Sequence, residues 1–170
     1  MSLVRGLAAL LLVCLAVVLQ VTVFPHVAWD GIVPNLALLV VVGAALVRGP
    51  QFAALLGFVA GLALDLAPPA DHIAGRWALA LVVIGYLAGR VRQTSKPSAS
   101  AVVLAVAASS FVGSSIFALS GLMLHDPVVG VTEMMTTILI AVVWDVLLTP
   151  FVLPPVMLLF HRMQPARVAF

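Results

Sequence analysis

The sequence predicts an all-α polytopic membrane protein: six transmembrane helices in one compact bundle, both termini cytoplasmic. Three observations carry that expectation. The chain is 64% hydrophobic and 8% charged, whereas a soluble domain carries about a quarter charged residues. Its mean hydropathy is +1.28, so lipid is its natural solvent. Its apolar residues gather into six runs, and the Lys and Arg residues between them fall seven to one on alternate sides.

The runs are Leu3 to Phe24, Ile32 to Val47, Gln51 to Ala67, Ala74 to Gly89, Ser98 to Leu124 and Thr132 to Phe160. A membrane helix needs about 20 apolar residues, with about 17 as a practical minimum. The first run begins near Arg5 like a signal peptide, but it is longer than an h-region and no A-x-A site follows it. It is expected to stay as an anchor. Val13 precedes Cys14, which argues against a lipoprotein signal. Cys14 is the single cysteine, so it has no disulfide or metal companion and is expected to pack in the bundle. The second and third runs are separated only by "RGP". The sixth carries Pro150, Pro154 and Pro155 and is expected to be interrupted there.

Loop charge sets the orientation. Arg5, Arg48, Arg90, Arg92, Lys96, Arg162 and Arg167 lie on one side. "PHVAWDGIVP", "PPADHIAGR" and "HDPVVG" lie on the other, with Asp30, Asp71, Asp126 and the single cation Arg76. Lys and Arg mark the cytoplasmic side. These cations are spread over short loops and form no patch for nucleic acid. The longest linker, "RVRQTSKPSAS", reads as a solvated turn, so residues 1–170 are expected to form a single integral membrane domain without a repeat.

Ala53, Gly57, Gly61 and Asp65 recur every four residues and share one helix face. Gly85 and Gly89 do the same on the fourth helix, and Ser110 and Ser114 on the fifth. Small residues at this spacing let membrane helices approach closely. Such a face serves packing within the bundle or docking of a partner helix. Asp65 sits roughly 21 Å along its helix, near the outer boundary, where a carboxylate opposes the dipole of its own helix. Arg76 is the expected partner, and "APP" after Asp65 ends the helix. Asp145 lies roughly 15–18 Å deep, where an aspartate costs about 2.5–3.5 kcal/mol. Ser109, Ser110, Ser114 and Ser115 lie at a similar level. They offer hydrogen bonds to it, and protonation is the other remedy. A functional carboxylate and a polar staple between the last two helices both fit. The four histidines share no i, i+3 or i, i+4 spacing. No catalytic constellation, metal site or cofactor motif is apparent.

The stretch "PNLALLVVVGAALVRGPQFAALLGFVAGLALDLAPP", followed by "ALALVVIGYLAGRVR", resembles MreD, the bacterial rod shape-determining membrane protein. The elements that carry the resemblance are Pro34-Asn35, Arg48-Gly49, Gly57 and Gly61 leading to Asp65, and Gly85-Tyr86 with Gly89. It is close over residues 30–95 and extends elsewhere in length, span count and topology. Family members more often carry aspartate where this chain has Asn35. The resemblance implies a non-enzymatic scaffold of cell elongation and peptidoglycan synthesis in the bacterial plasma (inner) membrane. It implies MreC as the membrane partner and, more distantly, RodA, its class B transpeptidase and the MreB cytoskeleton. The family is also similar in fold to the substrate-binding subunits of energy-coupling-factor transporters, so the alternative is a vitamin or small-solute transporter subunit. The Ala-x-x-x-Ala motif of those subunits is absent here, because Ala8 faces Leu12, Ala9 faces Val13 and Ala16 faces Gln20.

Overall fold

A helix satisfies its own backbone polar groups, so an apolar run in lipid resolves as a helix. The computed structural model describes residues 3–68, 72–91, 97–125 and 130–163. Six α-helices follow in order: α1 (Leu3–Thr22), α2 (Leu36–Arg48), α3 (Pro50–Leu66), α4 (Arg76–Arg90), α5 (Ala99–Met123) and α6 (Val131–Arg162). Among the described residues there is no strand. Three helices, α1, α5 and α6, are long and apolar enough to cross a membrane, while α2 and α3 are shorter apolar helices. Asp71, Arg92, Lys96, Asp126 and Arg167, which enter the loop-charge pattern, lie outside the described residues.

The ends of the helices follow local chemistry. α1 stops at Thr22, and a 3₁₀ turn over Phe24–Val27 carries the chain past Pro25. Asp30 and Gly31 then take φ of 54° and 76°. Trp29 and Ile32 exchange both backbone hydrogen bonds around them, the pattern of a two-residue Asp-Gly turn. This turn holds Ile32 outside α2, which starts at Leu36 behind its N-cap Asn35. Gly49, at φ 89°, ends α2, and Pro50 occupies the first turn of α3. A proline costs no hydrogen bond there, so "RGP" reverses the chain in minimal length.

Two sequence expectations are corrected. α6 runs unbroken from Val131 to Arg162 through Pro150, Pro154 and Pro155. Neighbouring helices let a membrane helix tolerate proline. Cys14 is exposed on the outer face of α1 instead of packed inside. The stripe that α1 buries consists of Ala9, Val13, Ala16, Val17 and Gln20.

The core is α2. Every residue from Leu36 to Ala45 is buried, and α2 touches each of the other five helices. A helix apolar on all sides belongs in the middle. The outside of the bundle is also apolar: Leu11, Leu104, Leu139 and Phe151 are all exposed. A large exposed apolar surface marks a membrane protein.

α3 and α4 make the most extensive helix–helix contact. A Cβ on Gly57 would strike the Leu81 backbone, and one on Gly61 the Ala78 backbone. From α4, Gly85 faces the Ala53 backbone and Gly89 faces Pro50. The four glycines therefore form one internal seam where main chain meets main chain. Gly57→Leu and Gly61→Leu should each lower the thermal midpoint of the purified protein without any partner present. Overpacking costs about 1–3 kcal/mol even where side chains can yield, and here backbone must move. Gly113→Ala is the control, since its nearest neighbour is a Leu38 methyl at 3.3 Å. A Gly61→Leu protein as stable as Gly113→Ala would contradict the seam.

Candidate functional site

The N-terminus of α4 lacks a local cap, because its N-cap residue is Gly75. Asp65, from the last turn of α3, takes that role. Its Oδ2 accepts the N–H groups of Gly75 at 2.8 Å and Ala78 at 3.1 Å, and its Oδ1 accepts Trp77 N–H at 3.0 Å. A carboxylate here meets the positive end of the α4 dipole, which offsets its unfavourable place at the end of α3. His72 Nδ1 lies 3.8 Å from Asp65 Oδ1. Arg76 begins α4, but its guanidinium turns to α5. It donates from Nε and Nη2 to the Phe117 carbonyl at 3.2 and 2.8 Å and lies 3.9 Å from the centre of the Phe117 ring. Trp77 stacks on the same ring at 4.4 Å. Gly121, one turn on, has no Cβ to displace the guanidinium.

The N-terminus of α2 is built the same way. Asp145, 1% exposed, accepts the Asn35 backbone N–H at 2.7 Å and the Ser110 hydroxyl at 2.6 Å. Asn35 Oδ1 accepts Leu38 N–H at 2.9 Å, and Gln20 Oε1 from α1 accepts Ala37 N–H at 3.3 Å. Donors left by the missing preceding turn thus find acceptors on α1, α6 and the N-cap itself. At the opposite end Arg48 Nη1 donates to the Met163 carbonyl, 3.4 Å away, at the C-terminus of α6.

Between these caps, above the start of α2, lies a cavity of about 360 Å³. Ligand pockets commonly span about 300–1,000 Å³. Its polar lining comes from Gln20, Asn35, Arg76, Ser114 and Thr137, and its apolar lining includes Trp77, Phe117 and Ile138. The Asn35 Nδ2 group is buried without a hydrogen-bond partner.

Of the residues singled out in the sequence, the structure brings Asp145 to Ser110 and places Ser114 in the cavity wall. Ser109 is buried on α5, and Ser115 donates back to the Phe111 carbonyl. Asp65 meets the backbone around Arg76, while the Arg76 side chain goes to Phe117. Sequence reasoning assigned no role to Gln20, His72 or Phe117 beyond noting that Gln20 faces Ala16 and that the histidines form no metal-ligand spacing. A lone amide at the end of a long apolar helix was the available sign for Gln20.

The two carboxylates should respond differently to amidation. Asp65 receives N–H groups on both oxygens, so Asp65→Asn turns an NH2 against a backbone donor, and Asp65→Ala leaves those donors without their acceptor. Each should cost about 1–3 kcal/mol. Both variants should also speed amide exchange at Trp77 and Ala78. Hydrogen exchange and thermal unfolding check this, and a wild-type-like Asp65→Asn would count against the cap.

No curated protein and no solved structure matches the chain. A family model described as the rod shape-determining protein MreD matches residues 1–163, well beyond residues 30–95, where the resemblance is close. The chain belongs to the MreD family of rod shape-determining membrane proteins.

Proposed function

We propose that this chain is a non-enzymatic scaffold of the bacterial cell-elongation machinery. It crosses the plasma membrane six times, keeps both termini in the cytoplasm and binds an MreC-like membrane protein. Through that partner it connects to RodA, its class B transpeptidase and MreB. The observation that carries this reading is the family match over residues 1–163. The geometry is consistent with it. Asp65 and Asp145, the residues a solute-coupled carrier would use, are engaged in holding helix ends. α2 has 13 residues and spans only about 20 Å, and Pro34 and Asn35 just before it are buried in the bundle. Non-helical backbone at membrane depth is tolerated under such cover.

Topology and partner are tested separately. Reporter fusions after Lys96 and after Asp126 should mark the cytoplasmic and external sides respectively, and two fusions on one side would overturn the six-span reading. In a strain lacking the chromosomal copy, the tagged chain should restore rod shape and co-purify with MreC. Failure to retain MreC from a shape-restored strain would reject the partner. Asp145 separates scaffold from transporter. In Asp145→Asn, Oδ1 still accepts the Asn35 N–H, and the new NH2 donates to Ser110, whose hydroxyl reverses. That variant should complement fully. Asp145→Leu should lose about 1–2 kcal/mol. A well-expressed Asn variant without activity would point to proton-coupled transport, which needs a group that gains and loses a proton.

A further inference from the structure

α1 packs on α2 and α3, and α6 packs on α2 and α5, but α1 and α6 make no extensive contact with each other. The space between them is a groove of about 550 Å³ on the outside of the bundle. Leu12 and Leu19 of α1 form one wall, Phe151 and Leu159 of α6 form the other, and Leu36 and Val40 of α2 lie along the floor. The lining is apolar except for Arg162, at the last position of α6.

Two features set this groove apart from the rest of the apolar surface. The first is length. From Phe151 to Arg162 the α6 wall runs roughly 16 Å. The hydrocarbon core of a bilayer is about 30 Å thick, so one leaflet takes about 15 Å. The groove therefore suits an acyl chain of a single leaflet. A transmembrane partner helix needs a track on the order of 30 Å. The second feature is charge. Arg162 is exposed where the groove ends, and among the described residues it makes no ion pair. Asp30, Asp65 and Glu133 lie at the opposite end of the bundle, and Asp145 is buried beside Asn35. Arg5, two turns before Leu12 on the same stripe of α1, adds a second cation toward the Arg162 end.

We propose that the α1–α6 groove is a site for an anionic phospholipid. One acyl chain lies over Leu36 and Val40, and the phosphate faces Arg162. A cation near a bilayer surface attracts anionic lipid, and the groove gives the chain of that lipid a fixed place. The inference needs only that the bundle sits in a bilayer. It holds whichever protein the scaffold binds and whichever way the chain is oriented.

The full chain, purified in a neutral detergent, is mixed with equal amounts of dioleoyl phosphatidylglycerol and dioleoyl phosphatidylcholine, and native mass spectrometry counts the lipid each molecule keeps. Phosphatidylglycerol should be retained over phosphatidylcholine by roughly fivefold, the effect of one cation near the surface. Arg162→Gln should abolish the preference and Arg162→Lys should keep it. Arg162 is exposed, so both variants should fold. Arg90→Gln removes a cation from the end of α4, away from the groove, and should also keep the preference. Dihexanoyl phosphatidylglycerol has the same head but chains too short to fill the groove, and should be retained less well. In cells, benzoylphenylalanine in place of Leu158, in the groove wall, should capture lipid on irradiation. No preference for the anionic lipid, a preference that survives Arg162→Gln or is lost equally in Arg90→Gln, equal retention of the short-chain lipid, or capture of a protein at position 158 in place of lipid would overturn the proposal.

Discussion

Two helices of this bundle begin inside the protein, and the need to satisfy their N-termini organises much of the rest. A helix start leaves backbone N–H groups without partners. In water, solvent supplies acceptors. Here α2 and α4 start among apolar neighbours, and each borrows a carboxylate from another helix. Asp65 reaches from α3 to α4, and Asp145 reaches from α6 to the residue that opens α2. In each case a carboxyl group that lipid would penalise is placed where a helix dipole favours negative charge. Arg48 supplies the complementary interaction at the far end, donating to the terminal carbonyl of α6.

The caps and the seam reinforce each other. Asp65 can reach Ala78 N–H because Gly61, one turn earlier, lets α4 come down onto α3 at the same residue. A side chain at Gly61 would push away the donors that Asp65 accepts. The same economy appears around Phe117. Its ring meets Trp77, His72 and the Arg76 guanidinium, and its carbonyl accepts from that guanidinium. The start of α4 is thereby tied to α5 as well as to α3.

Much of this was legible in one dimension. Lipid enforces helices, so the apolar runs located all six, with ends displaced by a few residues wherever a proline, an asparagine cap or an Asp-Gly turn decided the boundary. The four-residue spacing of Gly57, Gly61 and Asp65 announced a close-packed face. What it approached was hidden, because periodicity describes one helix and not its neighbour. Asp65 looked unfavourable because the sequence shows the dipole of its own helix, while the dipole that stabilises it belongs to α4. Arg76 looked like its partner by charge, but three backbone N–H groups beside Arg76 supply the contacts. The centrality of α2 had a sign that went unused: from Leu36 to Val47 it contains no polar side chain. The unpartnered amide of Asn35 has no one-dimensional sign, since it depends on which of its two polar atoms the helix consumes.

The bond between Asn35 and Asp145 spans 110 residues, and that separation bears on how the protein is made. Chains are synthesised at about 5–20 residues per second, so the acceptor for the start of α2 leaves the ribosome roughly 5–20 s after the donor. During that interval the most buried helix has an open end. α3 and α4 can zip along their glycines meanwhile, since that contact is local and needs nothing further downstream. The sixth helix is therefore the one that closes the core helix α2, and premature termination anywhere before Asp145 would release a chain whose central helix lacks that acceptor.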